Sequence, residues 1–114
     1  MREITLDGQT LRVRATPLAL LFYRQEFGAD LIAGLISLQS AGKDPASFNS
    51  VLFLQLLWAM AKADAPAGFP SFEAWLGTLE SFDFGDKELI VAVIREAADG
   101  FFRRSGKQLR ERQP

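Results

Sequence analysis

Residues 2–38 read REITLDGQTLRVRATPLALLFYRQEFGADLIAGLISL, and this stretch decides the fold of the chain. Apolar and polar side chains alternate on both sides of Asp7-Gly8, a dipeptide typical of hairpin turns. From Thr16-Pro17 onward the apolar residues recur at helical spacing instead. Because an isolated hairpin is only marginally stable in water, we expect one of its faces to pack on the helices. The residues predicted on that face are Ile4, Leu6, Leu11 and Val13.

Capping residues and chain breaks predict five helices after the hairpin. They are predicted over residues 17–27, 31–38, 45–63, 72–79 and 87–102. The capping or first-turn residues are Thr16-Pro17, Asp30, Asp44-Pro45, Ser71 and Asp86, and Gly28 suits the end of the first helix. The third helix is apolar almost all round, which is typical of a helix that is central or lies at an interface.

The spacing of apolar residues predicts which face of each helix is inward. The predicted inward residues are Leu18, Leu21 and Phe22 in the first helix and Leu31, Ile32, Leu35 and Ile36 in the second. Ala33, Gly34 and Ser37 leave the second helix a face of small residues that another segment can approach closely. In the fifth helix Val91 falls off the inward stripe.

The chain has 114 residues, the size of one ordinary domain, and 48% of them are apolar. We therefore predict a mainly α protein, a compact bundle of about five helices with a short N-terminal β-hairpin, in one domain over residues 1–102. Residues 103–114 hold five Lys or Arg and one Glu, and we predict that they form a mobile basic tail. This tail carries +4, which leaves the remainder at −5. Binding of nucleic acid is disfavoured, because an acidic body repels phosphate.

The chain contains no histidine and no cysteine, which excludes the usual catalytic triads and zinc sites. No cofactor, metal site or catalytic residue is predicted, and the chain is not expected to be an enzyme. The acidic residues Glu80, Asp83, Asp86 and Glu88 cluster around one connector. We interpret them as helix ends and an N-cap, and the alternative is a divalent-cation site in a hydrolase.

Several apolar side chains exceed what single helix stripes need to bury. They are Phe53, Trp58, Val91 and the connector residues Phe69, Phe82 and Phe84. They either fill the core or form a surface for self-association or a partner. The longest apolar run, residues 51–61, is about half the length that spans a bilayer, so no membrane partner is expected. Without a secretory signal or cysteine, the chain is expected in the cytoplasm.

The order of segments resembles the tail assembly chaperones of long-tailed bacteriophages and prophages. The similar segments are EITLDGQTLRVR, PLALLFYRQEFG, DLIAGLISL, SVLFLQLLWAMAKA, SFEAWLGTL and DKELIVAVIREAADGFF, and together they span residues 2–102. The resemblance implies a non-catalytic protein of the bacterial host cytoplasm that binds the tape measure protein and keeps its long apolar helix in solution. It also implies recruitment of the major tail protein and self-association into a homo-oligomer.

The partner-binding residues predicted under this interpretation lie on the third and fifth helices. They are Leu52, Phe53, Leu56, Trp58, Val91 and Arg95. The alternative is a small DNA-associated or regulatory protein whose basic C-terminal tail contacts phosphate, and a steep salt dependence of binding would favour it.

Deletion of residues 105–114 is expected to leave the melting temperature unchanged, because a mobile tail contributes nothing to the core. Thermal unfolding followed by circular dichroism measures this. A drop of several degrees would show instead that the tail docks on the domain.

Overall fold

The computed structural model describes residues 2–6, 8–40 and 48–103, with the backbone alone for Arg103. The predicted turn residue Asp7, the predicted helix start at Asp44-Pro45 and nearly all of the basic tail lie outside the described residues. The described chain is mainly helical with an N-terminal antiparallel hairpin, which confirms the predicted fold class. Its elements are β1 (Arg2–Leu6), β2 (Gln9–Val13), α1 (Pro17–Phe27), α2 (Leu31–Ser40), α3 (Ser50–Asp64), α4 (Phe72–Gly77) and α5 (Lys87–Ala98), and a π-helical turn (Asp99–Arg103) continues α5.

The hairpin packs on α3 through the face that its alternation predicts. β1 and β2 pair in the register that sets Ile4 opposite Leu11. Ile4, Leu6 and Val13 are buried and Leu11 is half-buried, so the predicted face is confirmed. Beyond β2, the Arg14 N–H donates to the carbonyl oxygen of Met60 in α3 at 3.0 Å.

The bounds of α1 are as predicted, but its inward face is not. The helix begins at Pro17 and ends at Phe27, and the Gly28 that caps it has a φ of +68°, a left-handed value that favours glycine. Leu18 and Leu21 are exposed, whereas Ala19 and Tyr23 are buried. The predicted stripe is therefore wrong for the two leucines. Ala19 lies one turn before Tyr23 on the buried side of α1, and the Tyr23 hydroxyl donates to Gln55 Oε1 of α3 at 3.2 Å.

The cap of α2 is confirmed, and its small-residue face is filled by a side chain of α3. Asp30 Oδ1 accepts the N–H of Ile32 at 3.0 Å. A Cβ on Gly34 would lie 3.0 Å from Leu52 Cδ1, so glycine leaves the room that Leu52 occupies. The buried residues are Leu31, Leu35 and Leu38. The prediction is wrong for Ile36, which is exposed because the helix turns its 31–35–38 row toward the core.

α3 is the central helix, as its all-round apolar pattern predicts, but it starts later than predicted. Residues 48 and 49 are not helical, and Asn49 Oδ1 accepts the N–H of Leu52 at 3.0 Å. This cap satisfies a backbone donor of the first turn and sets the helix start at Ser50. Residues 56–61 are all buried, because β2, α1, α2 and α4 surround this part of α3.

The last two helices have the predicted caps. Ser71 Oγ accepts the N–H of Ala74 at 3.2 Å in α4, and Asp86 Oδ1 accepts the N–H of Leu89 at 3.1 Å in α5. α5 packs on α2. The π turn that follows it reaches the link between β2 and α1, where a Cβ on Gly100 would lie 2.6 Å from the carbonyl oxygen of Ala15.

Tyr23 is the single tyrosine of the chain and reports directly on this packing. Its burial, and secondarily the nearby Asp30 carboxylate, raise the pKa of the hydroxyl above its usual value of 10.0. A near-ultraviolet titration of the tyrosinate band should therefore have its midpoint above pH 10 in the folded protein and near 10 in denaturant. Because the folded pKa is the higher one, the associated stability is present below pH 10 and is lost as the pH rises through the folded pKa. Equal midpoints in both conditions would contradict the burial of this hydroxyl.

Candidate partner-binding face

Three of the four partner-binding residues predicted on α3 belong to the core. Phe53 and Trp58 are 0% exposed and Leu56 is 1% exposed. Leu52 is half-buried, with its side chain against Gly34 of α2. A partner cannot reach Phe53, Leu56 or Trp58 while the chain is folded in this way. Their prediction as partner-binding residues is therefore corrected. The apolar sides of α3 are covered by other elements of the same chain.

Trp58 lies at the centre of one aromatic cluster. Its ring packs edge-on against Phe27 and Phe72, with centroids 5.4 and 6.3 Å away. The indole N–H donates to the carbonyl oxygen of Pro70 at 3.0 Å, and Lys62 Nζ lies 5.1 Å from the ring centroid. These contacts hold the connector before α4 against α3.

A second aromatic cluster surrounds Phe53, five residues earlier and on a different side of α3. The rings of Phe48 and Phe82 lie 5.8 Å from that of Phe53, and Phe84 lies 6.4 Å away. This cluster fixes the connector between α4 and α5. The connector aromatics that the sequence left open thus pack on the core, although Phe84 is still 37% exposed.

On α5, by contrast, the predicted residues lie at the surface. Val91 is 49% exposed, and Arg95, one turn further on, is also exposed. Both residues line two shallow hollows. One hollow, of about 340 Å³, lies between α5 and the start of β1 and is lined also by Arg2, Lys87, Glu88 and Ala92. The other, of about 440 Å³, lies between α5 and the end of α2 and is lined also by Leu38, Gln39, Ile94, Ala98 and Asp99. We call the surface formed by the residues of both hollows the α5 face.

The α5 face carries an excess of positive charge in its first hollow. Arg2, Lys87 and Arg95 oppose a single lining carboxylate, Glu88. Arg2 Nε lies 3.5 Å from Glu96 Oε1, whereas Lys87 and Arg95 form no ion pair with another described residue. Most other described cations are engaged elsewhere: Arg12 and Arg14 pair with Asp64, and Lys62 lies over Phe22 and Trp58.

The sequence had predicted Val91 and Arg95 but missed the rest of this surface. Arg2, Leu38 and Gln39 reach it from β1 and α2, and no local spacing relates those elements to α5. Leu38 had one available signal, because it continues the 31–35 row by a further turn. The sequence offers no such signal for Arg2.

The acidic connector forms turns and caps. Asp83 Oδ1 accepts the N–H of Gly85 at 2.8 Å, and Asp86 caps α5, which confirms their interpretation as structural residues. Among residues 2–6, 8–40 and 48–103, no group of three acidic or other metal-ligating side chains could hold a metal ion. Nothing in the described connector therefore favours the cation-dependent hydrolase.

Comparison of the chain with known protein families, with curated protein sequences and with solved structures finds no match. Across the described part of the chain, none of the helices has the length and apolar character needed to cross a bilayer. The proposed function is therefore based on the exposed residues of the α5 face.

Phe53→Asp and Val91→Asp should have opposite outcomes, because the first places a charge in the core and the second places it in solvent. Burial of an unpaired carboxylate and loss of the ring are expected to destabilise by about 4 kcal/mol or more and to abolish most helicity. Val91→Asp should keep the helicity and shift the melting temperature by a few degrees at most. Circular dichroism with thermal unfolding distinguishes them, and a folded, stable Phe53→Asp variant would contradict the core assignment.

Proposed function

We propose that this chain is a non-catalytic tail assembly chaperone of a long-tailed phage or prophage, which uses the α5 face to bind the tape measure protein. The single observation that carries the proposal is that Val91 and Arg95 are exposed together between two hollows, while the other described apolar residues of α5 are buried or half-buried. An exposed apolar position within a charged rim is typical of a protein-binding surface.

The order of elements supports the same proposal. The hairpin and the helices follow one another in the order that the resemblance implies, over residues 2–102. A chaperone that coats a long apolar helix needs a surface that accepts a helix without enclosing it. The α5 face is shallow and open along one helix, which suits repeated binding along an extended client.

The proposal includes self-association and recruitment of the major tail protein in the cytoplasm of the bacterial host. Self-association is supported by large apolar side chains exposed on other helices, namely Ile36 on α2 and Val51 on α3. They leave apolar surface for a second contact when the α5 face is occupied.

The decisive experiment is co-expression of the chain with the tape measure protein, the very long helical product expected to be encoded beside it. We expect the tape measure protein to move into the soluble fraction and to co-elute with the chain in size-exclusion chromatography. Val91→Asp should reduce this soluble fraction several-fold, because it places a carboxylate at the centre of the α5 face.

Leu21→Asp is the matched control, since Leu21 is 50% exposed on α1 and Val91 is 49% exposed on α5. The control variant should solubilise the tape measure protein as well as the parent does. A tape measure protein that stays insoluble with the parent chain would refute the proposed function. Equal losses in both variants would place client binding elsewhere on the protein.

A further inference from the structure

The charges of the α5 face determine which sign of charge a bound partner can carry. Lys87 and Arg95 are exposed and form no ion pair with another described residue, and the Arg2 side chain is 39% exposed beside them. The carboxylate that pairs with Arg2 belongs to Glu96, which is only 16% exposed and presents little negative charge outward. The face also carries the carboxylates of Glu88 and Asp99, so the positive excess lies in the first hollow, where three cations face Glu88. A cationic partner would be repelled at this hollow, whereas carboxylates would be attracted.

The backbone of α5 defines the conformation of the partner. Most of the face consists of side chains of a regular helix, whose interior N–H and C=O groups are already paired along the helix. An extended peptide laid along it would find no backbone partners for its own N–H and C=O groups. A helix satisfies those groups internally and needs only side-chain contacts.

The length of the face fits a short helical segment. Its α5 residues run from Lys87 to Ala98, which is about 18 Å or roughly three turns. Apolar lining comes from Val91, Ile94 and Ala98, with spacing that follows one side of the helix. An apolar stripe of matching length can therefore lie against it.

We propose that the α5 face binds an acidic amphipathic helix of a partner protein. Apolar side chains of that helix lie against Val91, Ile94 and Ala98, and carboxylates on its flank lie beside Lys87, Arg95 and Arg2. This inference rests on the proposed function in assigning client binding to the α5 face, and it adds the acidic charge of the bound helix.

The test uses two synthetic helical peptides of roughly four turns. Both carry leucine at helical spacing on one side, and their flanks carry Glu in one peptide and Lys in its twin. Fluorescence anisotropy with the full chain at low salt should show the Glu peptide binding about ten-fold tighter than the Lys twin. The difference should nearly vanish at about 1 M salt, where the screening length is only about 3 Å.

Two variants with matched controls locate the binding. Arg95→Glu should reduce or reverse the preference for the Glu peptide, whereas Arg24→Glu should not, although both arginines lie in the last turn of a helix. Val91→Asp should weaken binding of the Glu peptide about ten-fold, and Leu21→Asp should leave it unchanged. Circular dichroism confirms that each variant is folded.

Equal binding of the two peptides, or equal effects of the test and control variants, would overturn the inference. It would also fail if light scattering showed a parent dimer that Val91→Asp converts to a monomer without peptide, because a second copy would then cover the face. The peptide test is independent of the tape measure protein. Peptide binding with an insoluble tape measure protein refutes only the proposed function, and the reverse result refutes only this inference.

Discussion

The burial of α3 on every side is the constraint on which the other elements depend. Residues 56–61 are consecutive and buried, so this part of the helix presents no face to water. One neighbouring layer cannot cover a helix in that way, and β2, α1, α2 and α4 each supply part of the cover. The hairpin and α4 are both too short to be stable alone, and each gains its stability by packing on α3.

Apolar contact alone has little direction, and a few polar contacts determine how these elements are oriented around α3. Asp64, with a side chain only 10% exposed, lies 3.5 Å from Arg12 Nε and 3.2 Å from Arg14 Nη2, so it fixes the end of α3 to the end of the hairpin. Glu26 Oε2 accepts the N–H of Phe72 at 2.9 Å and thereby ties α1 to the first turn of α4. These contacts join segments that are distant in sequence, and they fix the hairpin to α3 and α1 to α4.

The sequence correctly predicted features that depend on nearby residues, such as helix caps. It did not predict features that depend on residues distant in sequence, such as the buried face of a helix. Asp30, Ser71 and Asp86 act within three residues of themselves, so their caps could be read directly from the sequence. The inward face of α1 could not, because the burial of Ala19 and the exposure of Leu18 depend on how α1 lies against elements distant in sequence. The same reasoning explains the candidate site. The exposure of Val91 could be predicted because it falls off the inward stripe of its own helix. The burial of Phe53 and Trp58 could not, because it depends on the elements that cover α3.

The contacts between the two ends of the described chain determine when the α5 face can exist. Arg2 pairs with Glu96, and Gly100 lies against Ala15, so residues at the start of the chain meet residues made near its end. Contacts between residues so far apart in sequence close a long loop, and the entropic cost of that closure opposes them. During synthesis, the hollow between β1 and α5 can therefore form only after the α5 residues that line it, up to Arg95, have been made. A ligand of this hollow therefore recognises the chain only once β1 and α5 have come together.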